Sequence, residues 1–260
     1  MYLFVYGETG AAKPMCIAEQ AWIKGWSAWE TEQGVTLVQK EEGSTVYGRL
    51  YHVLGKQTSS HTPVTVFTDN GEIQAFVAEG EHSNIQSIKW VAYGNVRLQE
   101  WLNKTEKPRY YFAYGSCMDL ERIEQAGKLA HFSLGKEAVT LPHYRHAYTF
   151  AVEDGGRADC VEDHDSVVEG ILYETTVEGI EYLFHREGVH KGHYRPAIVD
   201  TLDQSGEKRV CLTFLVLDKQ QETPPPVHYA TEIVRGATPL LPQAYIESLK
   251  ARYKAWGLTV

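Results

Sequence analysis

The sequence contains few cysteines, and they are far apart. Its 260 residues include four, Cys16, Cys117, Cys160 and Cys211, without a Cys-x-x-Cys pair. This spacing excludes the paired ligands of a zinc ribbon and gives no support to a disulfide framework. Reduced thiols in a cytoplasmic protein are therefore expected.

Long apolar runs and basic clusters are missing as well. No stretch of about 18 apolar residues occurs, so neither a transmembrane helix nor a membrane partner is expected. The first residues, MYLFVYGETG, lack the basic start and cleavage site of a secretory signal, which also favours a cytoplasmic location. There are 25 Lys and Arg against 34 Asp and Glu, which gives a net charge of −9. Without a basic cluster, no nucleic-acid partner is expected.

Neither the acidic cluster nor the paired histidines have the pattern of a metal site. The acidic residues between positions 159 and 165 lack the Gly and distal Glu of a calcium loop, so a solvated loop is expected. His143 and His146 are three residues apart, as are His190 and His193, but both pairs lie beside Pro, Gly and Tyr. Because no Cys or carboxylate partners converge on them, we expect no metal.

The chain contains an internal repeat. FVYG at residues 4–7 returns as FAYG at residues 112–115, and STVYGRLY at residues 44–51 returns as SVVEGILY at residues 166–173. Such self-similarity predicts two related units. The polar segment that ends at Pro108 is typical of a linker, so we predict an N-terminal unit (1–107) and a C-terminal unit (108–260).

Each unit continues with a predicted hairpin and helical segments. Alternating β-branched and aromatic residues flank two-residue turns within residues 64–77 and 197–216. Helices are predicted at residues 90–102 in the N-terminal unit, and at 229–236 and 242–256 in the C-terminal unit. Short strands with few helices favour an α+β fold of two tandem units, each a small mixed β-barrel flanked by helices.

The C-terminal unit has an additional predicted helix that ends at Glu187. Thr176 is suited to cap the start of this helix, and Gly188 to terminate it. The N-terminal unit has no counterpart to Glu187. A carboxylate in the last turn opposes the negative end of the helix dipole. In an apolar cleft its pKa would rise and suit it to proton transfer, whereas on a solvent face it would be an ordinary exposed Glu.

A Gly-Ser turn is predicted between a strand at residues 110–113 and helical residues 119–126. The turn, Tyr114-Gly115-Ser116-Cys117-Met118, presents backbone N–H groups that are able to hold a carboxylate or a developing oxyanion. By itself it is also typical of an ordinary tight turn. Cys117 gives a rival hypothesis, because a thiol at a helix start has a lowered pKa and is able to act as a nucleophile.

Residues 108–256 resemble the gamma-glutamylcyclotransferase family in four ordered segments. FAYGSCM, at residues 112–118, resembles the strand-end signature of the family, which usually has Asn at the position of Cys117. Residues 150–173 resemble its Gly-x-Ala and Val-x-Gly-x-Leu-Tyr segment. FHREGVHKGHYR, at residues 184–195, resembles the stretch with the catalytic Glu.

The fourth segment is the C-terminal signature. Residues 224–251 have the aromatic-bearing loop, the Gly-Ala pair, the Leu-Pro pair and the terminal helix of the family. The N-terminal unit keeps only the Tyr-Gly and Val-x-Gly-x-Leu-Tyr elements, with Glu8 in place of Ser116. We therefore expect it to be a degenerate, structural copy that packs against the catalytic C-terminal unit, because its apolar strands need a neighbour.

The resemblance implies a cyclotransferase that needs neither metal nor cofactor. The α-amino group of a γ-glutamyl substrate attacks its own γ-carbonyl, which releases 5-oxoproline and a free amine or amino acid. Glu187 is the implied general acid/base. Tyr194 is expected to hydrogen-bond Glu187 or substrate, and Tyr229 to close the pocket. The implied substrate-binding residues are Tyr114, Gly115, Ser116, Cys117, Met118, Tyr194 and Tyr229.

Two other functions stay open at this point. A non-catalytic small-molecule binding module of the same fold would keep the cleft without turnover. An enzyme of the same fold would act on another amide or an ester.

Overall fold

A computed structural model describes residues 1–6, 15–31, 36–53, 61–78, 88–104, 108–132 and 135–260. The chain divides into two compact units, Met1–Thr105 and Glu106–Val260. Gly7 and Glu8 of the repeated motif and residues 105–107 of the predicted linker lie outside the described residues. Among the described helices, none has the length and apolar character required to cross a membrane.

The N-terminal unit is a mixed barrel. Its strand order is β3-β1-β5-β4-β2, and pairing of β2 with β3 closes the ring. The β1–β5 pair is parallel and the others are antiparallel. A sixth strand, β6, pairs antiparallel with one end of β2. The elements are β1 (Tyr2–Val5), β2 (Met15–Thr31), β3 (Thr36–His52), β4 (His61–Thr68), β5 (Gly71–Ala78), β6 (Ile88–Trp90) and the helix α1 (Val96–Asn103).

The C-terminal unit repeats this architecture, with longer strands and more helices among the described residues. Its closed barrel has the order β10-β11-β7-β9-β8, in which the β7–β11 pair is parallel. The strands are β7 (Arg109–Ala113), β8 (Lys136–Val152), β9 (Gly155–Thr175), β10 (Tyr194–Leu202) and β11 (Lys208–Val216). The helices are α2 (Glu121–Gln125), α3 (Val177–Arg186), α4 (Val227–Ala237) and α5 (Gln243–Ala255). The predicted α+β fold of two tandem mixed barrels is confirmed.

The glycine that the two units share, Gly48 in one and Gly170 in the other, is required for the same structural reason. A methyl group at Gly170 would lie 2.5 Å from the carbonyl oxygen of Ala113, and one at Gly48 would collide with the carbonyl oxygen of Val5. At these points β9 is the antiparallel neighbour of β7, and β3 that of β1. Only a residue without a side chain permits such a close approach.

Three local predictions were wrong. A helix was predicted at residues 90–102, but residues 88–90 form a strand. The helix α1 starts only at Val96, where the side chain of Asn95 accepts a hydrogen bond from the N–H of Leu98. The second hairpin, β10–β11, was predicted to have a two-residue turn but has a five-residue connection. The carboxylate of Asp203 stabilises this connection, because it accepts hydrogen bonds from the N–H groups of Ser205 and Glu207. The first hairpin has the predicted two-residue turn.

The third error concerns the acidic cluster, which lies within β9. Asp165 is exposed as expected, but Asp159 and Glu162 are buried. Asp159 is fully buried. Its carboxylate accepts hydrogen bonds from Thr149 Oγ1 at 2.6 Å, from the N–H of Val216 at 3.0 Å and from Lys219 Nζ at 2.5 Å. A buried carboxylate is tolerated because these donors replace its hydration.

Candidate active site

The turn after β7 forms one wall of a small recess. Its N–H groups at Met118 and Asp119 donate to the carbonyl oxygens of Gly115 and Ser116, which makes a short 3-10 turn. Tyr114 anchors the turn to the barrel, because its hydroxyl donates to the carbonyl oxygen of Phe214 at 2.5 Å. The recess has a volume of about 30 Å³, enough for a group the size of one water molecule.

The helix α3 brings Glu187 to the recess. Thr176 caps its start, with Oγ1 accepting from the N–H of Gly179 at 3.1 Å. Glu187 is the C-cap residue, and its N–H donates to the carbonyl oxygen of Leu183. Gly188 then adopts the left-handed conformation that ends a helix (φ 62°). Both ends of this helix are confirmed as predicted from the sequence.

The carboxylate of Glu187 is largely shielded from water, with 17% of its side chain exposed. The thiol of Cys117 donates to its Oε1 at 3.2 Å, and Nε of Arg186 lies 3.8 Å from the same oxygen. Burial raises the pKa of Glu187 above its ordinary value, while the charge of Arg186 and the hydrogen bond from Cys117 act in the opposite direction. The raised pKa suits a group that both accepts and delivers a proton.

Cys117 does not have the properties of a nucleophile. Burial raises the pKa of its thiol to about 11, although Arg186 lowers it. Nε of Arg186 donates to Sγ at 3.2 Å. The lowered pKa expected for a thiol at a helix start is therefore wrong, and the thiol stays protonated as a donor to Glu187.

Two tyrosines complete the recess by bonding to the same peptide segment. The hydroxyl of Tyr194 donates to the carbonyl oxygen of Ala158 at 2.8 Å, and the N–H of Ala158 donates to the hydroxyl of Tyr229 at 3.2 Å. The Tyr194 hydroxyl therefore donates to the backbone and not to Glu187. Glu187 was one of the two partners, with the substrate, that the family resemblance implied. Burial raises the pKa of Tyr229 to about 12, so this phenol stays protonated at neutral pH.

All of the predicted site residues except Met118 line the recess. Met118 belongs to the turn, and its carbonyl oxygen accepts from Tyr173. Sequence reasoning missed three lining residues, Tyr111, Ala158 and Phe214. Ala158 lies in the Gly-x-Ala element that carries part of the family resemblance, which was the available signal.

The recess opens into a larger outer chamber of about 280 Å³. Both share Ser116, Glu187, Tyr194 and Tyr229 as lining residues. The outer chamber is additionally lined by Arg122, Phe150, Arg157, Arg186, His193 and His228. Within the described part of the chain, no group of three or more His, Cys, Asp or Glu residues has an arrangement that could hold a metal ion.

Comparison with known proteins gives consistent matches. A model of the AIG2-like family matches residues 167–249. The Bacillus subtilis (strain 168) protein "Putative gamma-glutamylcyclotransferase YkqA" is 36% identical over 266 residues, which cover 95% of each chain. Human gamma-glutamylcyclotransferase is 28% identical over 153 residues, which cover 56% of this chain and 79% of the human protein. The crystal structure of YkqA has a TM-score of 0.86 at 34% identity and covers 97% of both chains.

Proposed function

Since the chain belongs to the gamma-glutamylcyclotransferase family, we propose that its C-terminal unit converts a γ-glutamyl compound into 5-oxoproline and a free amine or amino acid. The observation that carries this proposal is the position of Glu187. Its shielded carboxylate lines the same recess as Gly115 and Ser116 of the turn. A proton acceptor and the turn that is proposed to supply backbone donors therefore line one small volume, as acyl transfer requires.

The proposed reaction needs no nucleophile from the protein. The α-amino nitrogen of the substrate forms a bond to its γ-carbonyl carbon, and the bond from that carbon to the leaving nitrogen breaks. The attacking ammonium nitrogen loses two protons as it becomes the N–H of 5-oxoproline. Glu187 takes these protons one after the other and delivers both to the leaving nitrogen, which departs as an ammonium group. The proposal therefore includes no metal and no cofactor. Much of the acceleration comes from holding the substrate folded, with its amine against its carbonyl.

The turn is proposed to hold the substrate carboxylate or the developing oxyanion. Its backbone is fixed by the hydrogen bonds of Tyr114, Met118 and Asp119. Donors that are already in place need no reorganisation during the reaction. Tyr229, beside the turn, is proposed to close the pocket over the bound substrate.

Release of 5-oxoproline from γ-glutamyl-alanine tests the role of Glu187. Glu187→Gln keeps the shape of the side chain and removes proton transfer, so we expect turnover to fall roughly 100- to 10,000-fold. Glu181→Gln is the matched control, because Glu181 is an exposed carboxylate on α3. Native turnover in the Glu187→Gln protein would contradict the proposal. Calorimetric binding of the substrate to the native protein without any product would indicate a binding module instead.

The N-terminal unit is proposed to be a structural partner within the chain. Its sequence has no counterpart to Glu187, while its barrel keeps the close strand approach at Gly48. If it packs on the catalytic unit, residues 108–260 expressed alone melt at a lower temperature than the full chain. Equal melting temperatures would contradict this role. The reaction is proposed to take place in the cytoplasm, where the thiols of the four cysteines stay reduced.

A further inference from the structure

The backbone of Ala158 joins two tyrosines of the recess. Its carbonyl oxygen accepts from the hydroxyl of Tyr194 at 2.8 Å, and its N–H donates to the hydroxyl of Tyr229 at 3.2 Å. All three residues line the recess. A shift of this short piece of β9 therefore moves both phenols.

The pairing of β8 with β9 is irregular at this point. The register shifts between Ala147 and Phe150, so that two residues of β8 stand opposite the single residue Ala158. Such a bulge interrupts the ladder of hydrogen bonds and bends the strand. The position of Ala158 therefore depends also on contacts from outside the β8–β9 ladder.

Asp159, the next residue, supplies such contacts through a fully buried carboxylate. Its Oδ2 accepts from Oγ1 of Thr149, which lies on the β8 side of the bulge, at 2.6 Å. Its Oδ1 accepts from the N–H of Val216 at 3.0 Å. Because Val216 is the register partner of Tyr194, this one carboxylate connects the bulge to the strand pair that carries Tyr194.

Lys219 extends this connection toward Tyr229. Its Nζ donates to Oδ2 of Asp159 at 2.5 Å. The N–H of the next residue, Gln220, donates to the carbonyl oxygen of Thr149 at 2.8 Å. This segment continues into α4, whose first turn contains Tyr229. The carboxylate therefore constrains both chain segments that supply the recess tyrosines.

Stability alone does not account for a charged pair at this place. The side chain of Asp159 is 0% exposed and that of Lys219 is 18% exposed. Desolvation of two buried charges offsets their attraction, so an apolar pair of similar volume would stabilise the fold as well or better. Directional hydrogen bonds differ from apolar contacts because they permit only one arrangement of the groups that they join. A recess that orients its substrate needs such a fixed arrangement.

On the premise of the proposed function, we propose that Asp159 is a positioning residue for the cyclisation. Asp159 itself does not line the recess. It acts through Ala158, which holds the hydroxyls of Tyr194 and Tyr229 at the recess wall, and Lys219 is its counter-ion. Loss of the carboxylate displaces both phenols while the barrel stays folded.

Steady-state kinetics of full-length variants with γ-glutamyl-alanine test this role. Asp159→Asn keeps the size of the side chain and removes the charge that pairs with Lys219. We expect kcat to fall roughly 10- to 100-fold and KM to change less than about threefold, because a misplaced wall disturbs the reacting geometry more than binding. Val199→Ala is the control: it removes buried methyl groups from β10, lines neither the recess nor the outer chamber, and should keep the native kcat.

Thr149→Val is a milder variant, and it keeps the test valid if Asp159→Asn does not fold. It removes one donor to the carboxylate with little change of shape, so we expect a smaller fall in kcat, roughly threefold to tenfold. Circular dichroism at the assay temperature gives the folded fraction to which every kcat is referred. A native kcat in the folded variants, or an equal fall in kcat for Val199→Ala, would overturn the proposal.

Amide hydrogen exchange distinguishes a failure of the proposed function from a failure of this proposal. If native protein releases no 5-oxoproline, the proposed function is wrong, and amide exchange then tests Asp159 by itself. In Asp159→Asn, or in Thr149→Val if the former does not fold, the N–H groups of Ala158 and Val216 should exchange at least about tenfold faster than in native protein. Native exchange rates at both positions would overturn the proposal.

Discussion

Replacing Cys117 by alanine removes the thiol that donates to the carboxylate of Glu187. That hydrogen bond, at 3.2 Å, favours the charged form of the carboxylate and lowers its pKa, against the effect of burial. Without it, the pKa of Glu187 rises. Because the ionised carboxylate accepts the substrate proton, the acidic limb of the pH profile of kcat/KM then moves to higher pH.

The size of this shift follows from the strength of the bond. Hydrogen bonds to charged groups contribute about 1.5 to 3 kcal/mol, and a thiol is a weak donor, so about 1 kcal/mol is reasonable here. One pKa unit corresponds to about 1.4 kcal/mol. We therefore expect a displacement of roughly 0.5 to 1 pH unit, with a smaller change in the maximal rate.

The assay is 5-oxoproline release measured from pH 4 to pH 9. Cys117→Asn restores the usual residue of the family and again supplies N–H donors, so its acidic limb is expected near the native position. Cys16→Ala makes the same chemical change at an exposed cysteine of the N-terminal unit and is expected to have no effect. An acidic limb that is identical in Cys117→Ala and native protein would refute the proposed coupling.

Three further predictions concern stability. Burial raises the pKa of Glu187, so the contribution of this residue to stability is lost as the pH rises through that pKa. The melting temperature of Glu187→Gln should therefore exceed that of native protein by a margin that grows from pH 4 to pH 8. A constant margin would contradict the burial of Glu187. Burial lowers the pKa of His146 from 6.5 to about 3. The free energy of unfolding of native protein should therefore fall by up to about 1.4 kcal/mol for each pH unit below 6.5. In denaturant titrations at several pH values, the free energy of unfolding of His146→Phe should decline less steeply as the pH is lowered. A methyl group at Gly236 would collide with the backbone of Met118 and Asp119. Gly236→Ala should therefore lower the free energy of unfolding by about 1 to 3 kcal/mol and slow turnover. Gly135→Ala is the control: its methyl group would meet only Glu174, at 3.8 Å, so the free energy of unfolding should change by less than about 0.5 kcal/mol.

Local chemistry explains which parts of the site could be predicted from the sequence. Thr176 and Gly188 define α3 because a hydroxyl at the start and a left-handed Gly at the end act within one turn of the chain. The segment around Glu187 was then identified by its family motif. These signals depend only on neighbours in the sequence.

Long-range contacts explain what could not be predicted. The partner of the Tyr194 hydroxyl is Ala158, 36 residues away, and their contact depends on how β9 and β10 curve around the barrel. Asp159 was predicted to be solvated because its hydrogen-bond donor, Lys219, lies 60 residues further along the chain and leaves no local signal in the sequence.

The origin of the nucleophile is the central claim, and an isotope experiment in H₂¹⁸O tests it directly. If the amine of the substrate attacks its own carbonyl, native protein converts γ-glutamyl-alanine to 5-oxoproline without ¹⁸O, together with alanine. Mass spectrometry distinguishes this product from glutamate that carries ¹⁸O, which forms when water is the nucleophile. Unlabelled 5-oxoproline as the product is the result that we predict, and ¹⁸O-labelled glutamate would contradict it.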